Sequence, residues 1–180
     1  MSGSNIFLQL ITATGPVVGE GLLDGWQGSI ELRNFGWGAS YEENDAIGKK
    51  KTGLGAGLMK MVGLGSAANF KMESLTFQKR FDVASSQIHF CLDNHLKVAS
   101  ASITVLHIKH GGRAVHQPGF VLLATDGYIT AVDIRAQSDG LSTELVEDVT
   151  LEFKNITMTY LKKAGKDNVP TAPFVYSTPS

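Results

Sequence analysis

The chain has 180 residues, 43% hydrophobic and 18% charged, and its 16 basic and 17 acidic side chains leave a formal net charge of -1. That balance excludes a solvated disordered chain and any general attraction for nucleic acid or anionic lipid. It leaves self-association open, since identical copies repel one another weakly, and the single Cys91 excludes an intramolecular disulfide.

The length suits one domain around one core. The amino-terminal MSGSNIFLQLITATG has no basic leader and no apolar run long enough for a signal peptide or a membrane helix. The expectation is a cytoplasmic chain that does not insert in a membrane and, if exported, leaves without a cleavable leader. Asn5 to Thr14 reads as a first strand closed by Thr14-Gly15-Pro16. A second runs from Trp26 to Gly38. Its apolar residues sit at even positions (Ile30, Leu32) and then at odd ones (Phe35, Trp37), which predicts a bulge at Arg33-Asn34.

Residues 43 to 66 carry a lysine run and the glycine-rich GLGAGLMKMVGLG, the pattern of a long mobile loop. From Ser74 to Asp82 a third strand puts Leu75, Phe77 and Phe81 on one face and Thr76, Gln78 and Arg80 on the other. Lys79 interrupts the apolar face, so it either reaches an edge or pairs with a carboxylate. One helix follows, expected to be capped by Ser85 or Ser86, with Ile88, Cys91, Leu92 and Leu96 on its apolar stripe.

The remainder is β: Ala99 to His110, Phe120 to Ala136 and Ser142 to Leu161, separated by glycine-bearing turns. Phe120 to Leu123 is apolar on both faces, which calls for cover on both sides of the sheet. In the last strand Val149, Leu151 and Phe153 give way to Ile156, Met158 and Tyr160, predicting a second bulge at Lys154-Asn155. From Lys162 the chain turns polar and proline-bearing, a tail expected to be partly ordered at most. The fold class is mainly β: a small β-barrel of two packed antiparallel sheets with one lateral α-helix, residues 1–162, and a polar tail, 163–180.

Catalytic patterns are missing where they were sought. Gly57 is followed by Leu58 and Met59, which breaks a phosphate-binding loop. His89 and His95 are six residues apart, off the spacing of a helical zinc pair, and His107 and His110 point to opposite faces of a strand. His116 is an ordinary strand-end histidine, Cys91 lies on the apolar helix stripe as an inert thiol, and no serine sits in a nucleophile elbow. Neither a catalytic residue, nor a metal ligand, nor a cofactor site is predicted, and the chain is read as a non-enzyme.

Three blocks in order carry a family resemblance: SIELRNFGWG at residues 29–38, SLTFQKRFDVASSQI at residues 74–88 and LVEDVTLEFKNITMTY at residues 145–160. The second is similar to a family pattern Leu-Thr-Phe-x-Lys-x-x-Asp, the third to Leu-x-Glu-x-Val-x-Leu-x-Phe. Together they resemble the Hcp (haemolysin-coregulated) proteins of bacterial type VI secretion systems. Ser86 stands where the family often has proline, and the carboxyl tail departs from the usual ending.

The resemblance implies a tube subunit that closes as a homohexamer, stacks into a hollow tube, and is expelled with a spike protein by a contractile sheath. Small effectors in the lumen are implied partners. Leu54, Leu58 and Met59 become candidates for ring stacking, and Gln78 and Arg80 for lining the lumen. The alternatives are a tube subunit of a phage tail or extracellular contractile injection particle, and a secreted effector enzyme.

Overall fold

The computed structural model describes residues 5–42, 69–109, 115–138, 140–164 and 167–177. Eleven strands and one helix occupy them: β1 (Ile6–Thr12), β2 (Gly15–Val17), β3 (Ile30–Gly36), β4 (Ala39–Glu42), β5 (Asn69–Met72), β6 (Leu75–Arg80), α1 (Val83–Asp93), β7 (Lys97–Lys109), β8 (Val115–Ser138), β9 (Thr143–Ala164), β10 (Asp167–Pro170) and β11 (Phe174–Ser177). They divide into two compact units. Within 38–73, β4 and β5 pair antiparallel, and the Glu73 amide closes their base on Gly38 O at 3.0 Å.

The other unit, residues 1–37 and 74–180, is built on one antiparallel sheet in the order β10-β9-β6-β3-β1-β7-β8, with β8 also paired to β9. The last pairing returns the ladder to its start. Six strands therefore form a circuit of hydrogen-bonded neighbours, which removes most exposed edges. The two sheets expected from the sequence are joined around that circuit. Leu8, Leu10, Ile30, Leu32, Leu75, Phe77, Ile103, Val149 and Leu151 are buried in its core.

Four one-residue offsets in the ladders bend the strands around the barrel. Leu32 pairs with Lys79 and Asn34 with Gln78, so Arg33 is the extra residue, where the sequence predicts a bulge. The other offsets fall at Ala99 in β7 and at Gly119 and Thr130 in β8. The bulge expected at Lys154-Asn155 is absent, because the β8–β9 register is unchanged between Thr125↔Asn155 and Gly127↔Phe153.

The irregularity at that point lies in the partner strand. Asp126 adopts φ 61, and no Asp126↔Lys154 pair joins the ladder. Burial changes parity in both strands here, from Leu122, Ala124 and Ile156 to Ile129, Val149 and Leu151. Gly127 allows the approach, because a Cβ there would lie 2.2 Å from Glu152 O.

Several boundaries differ from the sequence reading for identifiable reasons. The second strand starts at Ile30, because Trp26 is held in the preceding turn, where its ring stacks on Phe7 at 5.3 Å. The helix is capped by Asp82 rather than Ser85 or Ser86. The Asp82 carboxylate accepts from the Ala84 amide, and Ser85 Oγ accepts from the Asp82 amide, each at 2.9 Å. Leu96 falls beyond the helix, which stops at Asp93 before Asn94 and a left-handed His95 (φ 48). Among the described residues of the tail two short strands form: β10 pairs with Leu161–Ala164 of β9, and β11 with Asn155–Met158. The reason is the edge available there, since β6 leaves β9 at Leu151.

Candidate functional site

Beneath α1 lies a buried ionic cluster. Lys79 from β6 and Glu147 from β9 are both 0% exposed, directly opposite in the ladder, with Nζ to Oε2 at 2.9 Å. The same Nζ lies 2.7 Å from Asp82 Oδ1 and donates to Arg80 O at 2.7 Å and Ser85 Oγ at 2.9 Å. Ser85 Oγ donates to Glu147 Oε2 at 2.8 Å, and His89 Nε2 stands 3.1 Å from Glu147 Oε1. The ammonium group is thus fully surrounded by acceptors, and the cluster ties helix start to sheet. Of the two roles open to Lys79, pairing with a carboxylate is the one it takes.

On the opposite face of the same strands a polar network spreads towards solvent. Gln78 donates to Asp148 at 2.9 Å, Arg80 to Glu144 at 3.0 Å, and Arg33 to Gln137 at 2.9 Å. Arg33 also pairs with Glu144, and Arg135 with Asp148. The sequence-predicted Gln78 and Arg80 therefore share this face, side by side with groups the sequence reading did not name. Only the cross-strand register reveals those partners. Leu54, Leu58 and Met59 lie outside the described residues.

A third ion cluster is more exposed. Asp126 Oδ1 meets Lys97 Nζ at 2.5 Å, and Oδ2 meets Lys154 Nζ at 3.3 Å. The hydrogen bond from Lys97, helped by that from Lys154, holds the Asp126 carboxyl below its ordinary range, and the same Asp126 contact raises Lys97.

Among the described residues no group of three or more His, Cys, Asp or Glu side chains is arranged to hold a metal. A groove of about 420 Å³ runs between the β1–β2 turn and α1, with Gln87 and Phe90 on its wall. Cys91 lines it too; burial raises its thiol pKa, partly offset by a hydrogen bond with Thr12, so the thiolate is disfavoured. His95, off the helix, stacks on Tyr128 at 4.4 Å. His110 lies outside the described residues.

Much apolar surface is bare. Ile11, Val18, Leu22, Phe81, Val83, Phe90, Ile134, Leu141 and Leu145 are exposed, as are Tyr160, Val169, Phe174 and Val175 towards the carboxyl end. In β8, Leu122 is buried whereas Leu123 is exposed, so the two-sided cover expected at Phe120–Leu123 is incomplete in one copy of the chain.

Residues 7–160 match the protein family described as type VI secretion system effector, Hcp. This chain belongs to the Hcp family. The fold agrees. The Hcp1 protein from E. coli EAEC 042 aligns with a TM-score of 0.71 at 17% identity, covering 97% of this chain and 98% of that one. The secreted protein Hcp3 from Pseudomonas aeruginosa aligns at 0.62 with 12% identity over 97% and 98%. A chain of the anti-feeding prophage baseplate aligns at 0.51 with 8% identity over 88% and 94%. None of the curated proteins matches in sequence. In this Hcp-family chain the blocks carrying the resemblance meet in space: Lys79 and Asp82 come from one, Glu147 from another, and the buried cluster joins them.

Proposed function

We propose that the chain is the structural subunit of a type VI secretion inner tube: six copies close into a ring, and rings stack into a tube expelled with a spike by a contractile sheath. The observation that carries this reading is the Hcp-family match over residues 7–160, laid on a barrel with so much bare apolar surface. A ring is built from head-to-tail contacts between unlike surfaces of identical subunits, and such surfaces are bare in a single copy. Function then resides in contacts between copies rather than in a catalytic pocket, and the chain is not an enzyme.

The polar face bearing Gln78 and Arg80 is assigned to the lumen, where side chains already paired to Asp148 and Glu144 present a wettable wall to small effectors. Leu54, Leu58 and Met59 are assigned to ring stacking; deleting residues 50–62 then leaves rings and abolishes tubes. The subunit is made in the cytoplasm and leaves with the tube. A phage-tail or extracellular injection particle is the second reading, favoured by the likeness to the anti-feeding prophage baseplate chain. Negative-stain electron microscopy with native mass measurement tests the class. Six-membered rings with a central hole are expected, and a stable monomer at high concentration overturns it.

A further inference from the structure

The six residues of β6 lie against the 22-residue β9, and no hairpin turn joins the two strands to fix their register. Of their inward pairs two are apolar, Leu75↔Leu151 and Phe77↔Val149, and the third is Lys79↔Glu147. Sliding β6 by two residues towards the carboxyl end of β9 would set Leu75 against Phe153 and Phe77 against Leu151, still apolar on apolar. The period of two is kept, so the hydrophobic pattern does not forbid the slide. The charges do. Lys79 would face Val149, its ammonium about 7 Å from its place beside Glu147, and both groups would stay desolvated and apart.

Glu147 also carries the contacts that register α1. Ser85 Oγ meets its Oε2 at 2.8 Å, and His89 Nε2, one turn on, meets its Oε1 at 3.1 Å. Lys79, Ser85 and His89 thus converge on one carboxylate of β9 and engage both of its oxygens. A slide of β6, which carries the start of α1 with it, would break all of these contacts at once.

We propose that Lys79 and Glu147 form a register lock, a buried ion pair that selects one among strand registers that apolar burial alone leaves nearly equivalent. Gln78 and Arg80 ride on the same strand, so the lock also fixes which β9 groups, Asp148 and Glu144, stand beside them on the outward face. Copies that differed in register would present different surfaces, and symmetric assembly needs identical ones. The lock is a property of the single chain and holds whether or not the tube reading does.

Crosslinks read the register. Thr76 is opposite Thr150 in the ladder, and the two-residue slide would place it opposite Glu152. Thr76→Cys with Thr150→Cys therefore reports the native register, and Thr76→Cys with Glu152→Cys the displaced one; Cys91 is buried. Under thiol–disulfide exchange, with Lys79 and Glu147 in place, the native crosslink is expected to dominate. In the background Lys79→Met with Glu147→Leu, the ratio of displaced to native crosslink is expected to rise at least about tenfold while the chain stays folded. A double variant that keeps the wild-type ratio, or that no longer folds, overturns the lock, since the pair would then contribute stability and not choice. Moving the carboxylate, Glu147→Val with Val149→Glu, is a second test. The displaced crosslink is expected to become the major one, and a folded chain that keeps the native crosslink overturns the lock.

Discussion

The two faces of β6 carry the same chemistry in opposite surroundings. Inward, Lys79 meets Glu147 with both side chains 0% exposed; outward, one residue along, Arg80 meets Glu144 in reach of solvent. Each is a cation at about hydrogen-bond distance from a β9 carboxylate, directly opposite for Lys79 and diagonal for Arg80, whose register partner is Val146. Water makes the difference. The outward pair is solvated and screened and contributes little. The inward pair has lost its hydration, so each charge depends on the other and on Ser85 and Asp82, and removing one leaves the rest stranded. One side of the strand therefore secures the helix, and the other stays available for contacts outside the chain.

The sharpest break in that comparison is Glu147→Ala, which strands the Lys79 ammonium and is expected to cost about 3–5 kcal/mol in denaturant unfolding. Replacing both partners, Lys79→Met with Glu147→Leu, is expected to recover most of that loss. If the double variant is as unstable as the single one, the buried pair is not the unit it is taken to be. Gly127→Ala comes next, at about 1–3 kcal/mol, because the new Cβ meets Glu152 O and the β8–β9 backbones must part.

Asp82→Ala removes the helix cap and one carboxylate facing Lys79, with an expected loss of about 1–2 kcal/mol. Glu144→Gln on the outer face is expected to change stability by less than about 1 kcal/mol, with added salt shrinking the difference. A loss approaching that of Glu147→Ala would erase the contrast between the two faces.

The smallest effect belongs to Asp126, read through pH. Its lowered carboxyl contributes stability present above the ordinary value of 3.8 and lost as pH falls through the folded value. Lys97 is raised, so its contribution is present below 10.5 and lost as pH rises through its folded value. Asp126→Asn tolerates the left-handed backbone and removes the charge. Its unfolding midpoint should run parallel to wild type between about pH 5 and 9 and converge with it in acid. A constant offset down to pH 2 would show that the ion pair contributes nothing.

Much of this contrast is legible in the sequence. Lys79 breaks the alternation of Leu75 and Phe77 and so announces a charge on an inward face, whereas the burial of Glu147 beside Val149 and Leu151 is a finding of the structure. What the sequence does not say is that they meet, because two residues separated by 68 positions become neighbours only when β6 and β9 take their register. The misplaced second bulge has a similar origin. The parity change in β9 is real, but the backbone departure that accommodates it sits in Asp126 of the neighbouring strand, since either partner can absorb a twist that both must share.

By itself the sequence determined the β class, the helix that follows β6, the bulge at Arg33, inward Leu75 and Phe77 against outward Thr76, Gln78 and Arg80, and the family resemblance, all of which follow from local periodicity and ordered blocks of residues; Phe81, read on the inward face, lies past the end of β6 and is exposed. The tertiary structure decided the rest. It chose Asp82 as the cap because Ser85 was needed by Glu147, turned the tail into strands because β6 leaves the edge of β9 unpaired at Leu151, and set Gln78 and Arg80 beside Asp148 and Glu144. Each of these depends on which strand lies next to which, and strand pairing between distant segments is a property of the closed ladder, not of any stretch of the chain.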